Sequence, residues 1–260
     1  MVRRPVLQLL LVGLLLAAGS ASTAAAALER RELRVGVATD EPPFAYLGDD
    51  GQFHGFTADV ARALCRRLQV RCTLVPVDTL DPVAPLQSRA VDLIPAVAMT
   101  AERRGMVDFT DRYFRAPARF VMPRGRGLDV SPEALNGKTI GVQRGTTQDR
   151  YATATYPGSV LRRYPDRAEL FIDLALGRLD AVLTNVISGR TEFLDPELGA
   201  EFEFAGPVLA DPAWFGEGIG IAVRKGDEQL RAALNDALRQ IRADGNLDAI
   251  RSRYVGFSID

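Results

Sequence analysis

The stretch GVQRGTTQDRY, residues 141–151, ends an apolar run on a glycine-containing turn and passes into helix-compatible sequence. Thr146 stands three residues before Asp149, the T-x-x-D spacing of a capped helix start, in which the hydroxyl accepts an N–H from the first turn. The remaining first-turn N–H groups, around Thr147 and Gln148, then point outward at the positive end of the helix dipole. Groups placed this way hold a carboxylate or phosphate without a full charge. An ordinary capped helix satisfies the same motif, so a second group is needed. TAERR supplies one: Arg103 lies just inside another helix start, and a guanidinium grips both carboxylate oxygens in a fork, best where water is excluded. The adjacent Arg104 reads as a solvated surface residue.

Other chemistries lack their residues. His54 is the only histidine and sits in a glycine-rich turn as a surface residue, and the chain has two cysteines, Cys65 and Cys72, so neither a zinc site nor a histidine-based catalytic site can be assembled. The sequence contains no nucleophile elbow, phosphate-loop signature or metal cluster, and neither a metal nor a cofactor is expected. Lys plus Arg (32) nearly balance Asp plus Glu (33), for a net charge of −1, and no basic run follows the first few residues. Nucleic acid is therefore not an expected partner.

The elements that must position these groups alternate. At the N-terminus, MVRRP is basic, VLQLLLVGLLLAAG is apolar and SASTAAA is small-residue, the pattern of a cleavable signal peptide over residues 1–27. The apolar run is shorter than a membrane span, and Ser20 stands where a lipoprotein needs a cysteine, so the expected product is periplasmic and not lipidated. Export also takes Cys65 and Cys72 to an oxidising compartment, where a pair persists as a disulfide. ELRVGVA, CTLVPV and VDLIPAVA read as buried strands, and FTADVARALCRRLQ and LDPVAPLQSRA as helices. PPFAYLGDDGQFHG reads as a turn-rich connection, and TAERRGMVDF as a helix or turn. The alternation then restarts with KTIGVQ, TTQDRYATATY, SVLRRY, RAELFIDLALG and DAVLTN. RAPARFVMPRG and FGEGIGIAVRKG are extended, and two amphipathic helices, punctuated at Asp244-Gly245, close the chain. This is an α/β chain of two parallel-sheet lobes, each sheet covered on both faces. Lobe 1 takes residues 28–116 and 217–260 and lobe 2 takes 117–216, so the backbone crosses between them twice and forms a hinge.

Read in order, LRVGVATDEPPFAY, DGQFHGFTADVARAL, AVDLIPAVAMTAERRGMVDFTDRYF, LNGKTIGVQRGTTQ, GRLDAVLTN and GIAVRKGDEQLRAALNDALRQIRADG resemble the family 3 bacterial extracellular solute-binding proteins across essentially the whole mature chain. These are the substrate-capturing components of ABC importers for polar amino acids. The resemblance implies the type II periplasmic-binding fold, a monomer, and a membrane permease as partner. It implies that Arg103 receives a ligand carboxylate from lobe 1, and that Thr146, Thr147 and Gln148 receive it from lobe 2, so that the ligand bridges the cleft and favours closure. The cysteine pair is similar to the disulfide of the basic-amino-acid-binding branch.

Four departures bear on the ligand. Glu41 stands where the family often has a stacking aromatic, and Ala38 where some members have an acid for cationic side chains. Ala98 replaces a serine in Ala98-Met99-Thr100, and Asn185 replaces the aspartate that usually receives the ligand's α-ammonium. The expected function is a receptor for a small carboxylate-bearing solute, an amino acid or analogue, with Arg103, Thr147, Thr146, Gln148, Asn185, Glu41 and Ala98 around it. The alternatives are a sensory solute-binding protein reporting to a membrane partner, and a dehydratase-like enzyme on the same fold. The enzyme would need an acid where Ser188 stands, and serine lacks a suitable pKa for that work.

Overall fold

The computed structural model describes residues 32–259 except 79 and 128, so the signal-peptide reading of residues 1–27 lies outside the described residues. In chain order, the first lobe comprises β1 (Glu32–Val37), β2 (Asp40–Glu41), β3 (Ala45–Leu47), β4 (Phe53–His54), α1 (Phe56–Leu68), β5 (Arg71–Pro76), α2 (Val83–Gln87), β6 (Leu93–Ala98), α3 (Ala101–Met106) and β7 (Val107–Phe109). The second comprises β8 (Ala118–Pro123), β9 (Thr139–Gln143), α4 (Thr147–Thr155), β10 (Val160–Tyr164), α5 (Arg167–Ala175), β11 (Ala181–Asn185), α6 (Val186–Ser188), β12 (Phe202–Leu209) and α7 (Pro212–Phe215). The chain then returns with β13 (Ile219–Arg224), α8 (Glu228–Ala243) and α9 (Asn246–Tyr254).

Two five-stranded sheets result, ordered β5-β1-β6-β13-β7 and β10-β9-β11-β8-β12. Each is parallel through its βαβ units and mixed beyond them. β13 runs antiparallel to β6 and β7, and β8 antiparallel to β11 and β12. The two parallel-sheet lobes expected from the alternation are present, and the segments read only as extended, β8 and β13, add to them as antiparallel strands that enter by the hinge crossings. The connection after β1 is also more ordered than a turn: β2, β3 and β4 form a small antiparallel sheet.

Apolar side chains fill both faces of each large sheet. In lobe 1, Leu33, Val35, Leu64, Leu234 and Ile241 pack under α1, α8 and α9, while Leu86, Ile94, Val97 and Phe109 pack on the other face. In lobe 2, Phe120, Ile140, Val142 and Tyr156 lie on the α4 side, and Leu170, Phe171, Leu174 and Phe193 on the α5 side. Helix α1 buries Val60, Ala61, Leu64 and Cys65, one helical stripe, and carries Asp59 in its first turn and Arg66 and Arg67 in its last, as the dipole favours. It can begin only at Gly55: φ is 112°, and a Cβ there would stand 2.4 Å from the Phe44 carbonyl oxygen. At its other end Cys65 is disulfide-bonded to Cys72 on β5, with 6.1 Å between their Cα atoms.

Two backbone segments join the lobes and lie side by side. The Ile219 amide donates to the Phe114 carbonyl at 2.9 Å, and the Tyr113 amide to the Ile219 carbonyl at 3.1 Å. Paired crossings of this kind form a hinge about which two lobes can move as units.

Candidate functional site

The loop between β9 and α4 is built from local rules. Gly145 has φ 76°, the left-handed conformation that glycine adopts without a Cβ penalty, and it turns the chain into the helix. Thr146 then caps α4: its Oγ1 accepts from the Asp149 amide at 3.2 Å and donates to the Gln143 carbonyl at 2.7 Å. Asp149 reaches back to the Gly145 amide at 3.1 Å, and its carboxylate is paired with Arg163 at 2.8 Å. Arg163 therefore offsets the one acid in the first turn of α4, and that end of the helix stays positive. The amides of Thr147 and Gln148 have no acceptor among the described residues.

Across the cleft, Thr100 caps α3 by accepting from the Arg103 amide at 3.3 Å. The Arg103 guanidinium donates to the carbonyls of Leu80 at 3.1 Å and Ala98 at 3.5 Å, which fix its plane. It forms no ion pair among the described residues. Burial, and next the like charge of Arg150, pull its pKa below the usual arginine value. Glu102, Asp81 and Glu41 pull the other way without outweighing burial, and the guanidinium stays protonated as a largely desolvated cation.

Arg103, Thr146, Thr147, Gln148, Asn185, Glu41 and Ala98 all line one cavity between the lobes. Ala38 is buried and lines an adjoining cavity that shares Glu41. The seven differ in what they offer. Asn185 caps the short α6: its Oδ1 accepts from the Ser188 amide at 2.8 Å and its Nδ2 donates to the Ser188 hydroxyl at 3.1 Å. Its carboxamide is thus committed to Ser188 and carries no charge into the cavity. Ser188 is fully buried. Arg104, read as a solvated residue, pairs with Glu217 at 2.5 Å and lies over the Phe109 ring. His54 contacts Asp50 on the exposed hairpin.

Sequence reasoning missed several groups in the same wall. Leu80, Phe44 and Phe114 supply apolar surface, and Gln143, Thr184 and Arg167 polar surface. Arg167, only 7% exposed, opens α5 and is bound by the Glu192 carboxylate at 2.9 Å, the Gln143 side-chain oxygen at 3.1 Å and the Pro42 carbonyl of the other lobe at 3.2 Å. Burial raises the Glu192 pKa above the usual glutamate value, against the opposing pull of Arg167. A second cross-cleft contact joins Arg150 on α4 to Glu102 on α3 at 2.6 Å. Asp166 before Arg167 reads as a helix cap, and nothing local marks the arginine as buried.

A chain folded as two α/β lobes on a paired-strand hinge, with a guanidinium that has no ion pair among the described residues and a helix N-terminus facing one cavity, has the architecture of a solute-binding receptor. It belongs to the bacterial extracellular solute-binding proteins, family 3, which it matches over residues 33–257. An L-arginine-binding protein of Pseudomonas aeruginosa is 39% identical over 232 residues, 88% of this chain and 90% of that one. The lysine/arginine/ornithine-binding periplasmic protein of Escherichia coli is 33% identical over 254 residues, 96% of this chain and 97% of that one. Among solved structures, an ancestral arginine-binding protein bound to arginine is similar at a TM-score of 0.75 and 32% identity, covering 86% of this chain and 98% of its own.

Proposed function

We infer that this chain is the periplasmic receptor of an ABC importer, capturing an amino acid or a closely related small carboxylate between its lobes and presenting it to a membrane permease. One observation carries the reading: Arg103, desolvated, faces a cavity whose opposite wall holds the amides of Thr147 and Gln148, and among the described residues the first has no ion pair and the others no acceptor. A ligand carboxylate satisfies both at once and so favours the closed form. Likeness to receptors named for arginine, lysine and ornithine makes basic amino acids the first ligands to test. Glu41 supplies a carboxylate on the cavity wall for a ligand cation, in place of the neutral Asn185.

The chain acts by binding and performs no chemistry on its ligand. The N-terminal 1–27 pattern supports export by a cleaved leader, and no helix among the described residues is long and apolar enough to cross a membrane. A thermal-shift screen of the exported protein, followed by calorimetry, tests the reading with L-arginine, L-lysine, L-ornithine, L-histidine, neutral amino acids, keto acids and dicarboxylates. A ligand that binds only the native state raises the midpoint. No shift with any of these compounds would overturn the assignment.

A further inference from the structure

Arg167 belongs to lobe 2 by sequence and by its helix, yet one of its hydrogen bonds ends on lobe 1. Within lobe 2 it is held twice. Its Nε donates to both Glu192 oxygens, at 2.9 and 3.1 Å, and its Nη1 donates to the Gln143 side-chain oxygen at 3.1 Å. These contacts aim Nη2 across the cleft at the Pro42 carbonyl, 3.2 Å away and 125 residues earlier in the chain. Pro42 immediately follows Glu41, the last residue of β2, so the acceptor sits on the same hairpin edge that lines the mouth of the cavity.

A buried cation needs a counter-charge, and Glu192, itself only 14% exposed at its side chain, provides it inside the same lobe. The ion pair is therefore satisfied whether the lobes are apart or together. The Pro42 contact is not, because donor and acceptor belong to different lobes. We propose that Arg167 is a positioning residue for closure: a guanidinium preset by Glu192 and Gln143 that docks on the Pro42 carbonyl and stabilises the closed arrangement whatever the ligand. This rests on the reading of the molecule as a receptor that opens and closes, and is independent of which ligand it takes. The Glu102–Arg150 pair spans the same cleft, but its side chains are 64% and 41% exposed, and an ion pair so solvated contributes little.

The consequence can be read without any ligand. Nitroxide labels at Asp49→Cys on the exposed hairpin and Ala154→Cys on the exposed side of α4 report the interlobe distance by pulsed electron spin resonance; the native cysteines are joined to each other and do not react. Two variants remove the contact in different ways. Arg167→Lys keeps a cation for Glu192 but replaces three separate nitrogens, each aimed at its own acceptor, by one ammonium nitrogen that cannot occupy all three positions. Arg167→Gln with Glu192→Gln removes both charges together, so that neither is left buried without its partner. In either variant the ratio of closed to open ligand-free molecules should fall about tenfold, the scale of one charge-assisted hydrogen bond. Arg178→Gln, which breaks an exposed pair with Asp173 inside lobe 2, should leave the distribution unchanged. Distance distributions in both Arg167 variants that match the parent would overturn the proposal, including the case where the ligand-free parent is already fully open. Failure of every amino acid to bind would instead overturn the functional reading and leave this measurement standing.

Discussion

Replacing Arg103 by alanine tests the core of the functional reading, because the structure separates what the residue does for the fold from what it offers a ligand. For the fold, its side chain supplies two hydrogen bonds to carbonyls, Leu80 at 3.1 Å and Ala98 at 3.5 Å, the second at the limit of a useful contact. Losing them costs about 1 kcal/mol, the net worth of one good hydrogen bond. The cap of α3 survives, since Thr100 bonds the backbone amide of residue 103 and not its side chain. For a ligand, the same change removes the cation opposite the α4 amides and leaves a carboxylate in the closed cleft with only a helix end to hold it. By the cost of stranding one member of a buried ion pair, affinity should fall by about 3 to 5 kcal/mol, roughly two to four orders of magnitude. Arg103→Lys should fall between, keeping the charge and losing the fork. Calorimetry on variants with the parent's circular dichroism, paired with urea unfolding, measures both numbers. A loss of affinity under about threefold, less than 1 kcal/mol, would show that Arg103 is not the carboxylate clamp.

Four further outcomes follow from specific contacts. Replacing Cys65 and Cys72 with serine should lower unfolding free energy by about 2 to 3 kcal/mol in the chain-entropy account, read from the urea midpoint; an unchanged midpoint would refute it. Thr146→Ala should cost about 1 kcal/mol of stability through the lost cap, and should weaken ligand binding as well, because the Thr147 and Gln148 amides lose their fixed direction; unaltered affinity would argue against α4 as an anion site. Asn185→Asp keeps the cap on Ser188 and adds a negative charge to the cavity wall, so calorimetry should show ordinary L-amino acids binding more tightly by about 1 to 3 kcal/mol. Asp92 is nearly buried, and although burial alone would raise its pKa, the Arg34 amide, Arg224 and the Arg34 side chain together hold it below the usual aspartate value. A depressed folded-state pKa gives stability that is present above the unfolded value, about 3.9, and lost as pH falls through the folded one. Urea midpoints against pH should therefore decline more steeply below about pH 4 for the parent than for Asp92→Asn.

What the sequence disclosed and what it concealed divide by the range of the contacts involved. Thr146 and Asp149 are three residues apart, and the cap they form needs nothing beyond one turn of helix; the same holds for Thr100 and the helix that carries Arg103. The cysteine pair is separated by seven positions, short enough for a helix, a turn and the start of a strand to bring it together. Strand β12 carries a local signal too: Phe202, Phe204 and Ala205 against Glu203 mark a half-buried strand in EFEFAGPVL. Asn185 is also locally legible, as a cap three residues before Ser188. The antiparallel strands β8 and β13 could be recognised as extended, but strand direction is settled by which neighbour the chain meets after crossing the hinge, and no local pattern encodes that.

Arg167 shows the limit most sharply. In PDRAEL it occupies the first helical position after an aspartate cap, the place where a solvated arginine would excite no comment. Its burial is decided by Glu192 in an irregular helical turn 25 residues later and by Pro42 from the opposite lobe. Desolvating one cation is costly, and it is tolerated here because a carboxylate, an amide oxygen and a backbone carbonyl converge on the same guanidinium. None of the three is near it in sequence, and one reaches it only across the cleft. The groups that would hold a ligand are thus set by short-range rules that a sequence displays, whereas the group that senses whether the lobes have met depends on the closed geometry itself.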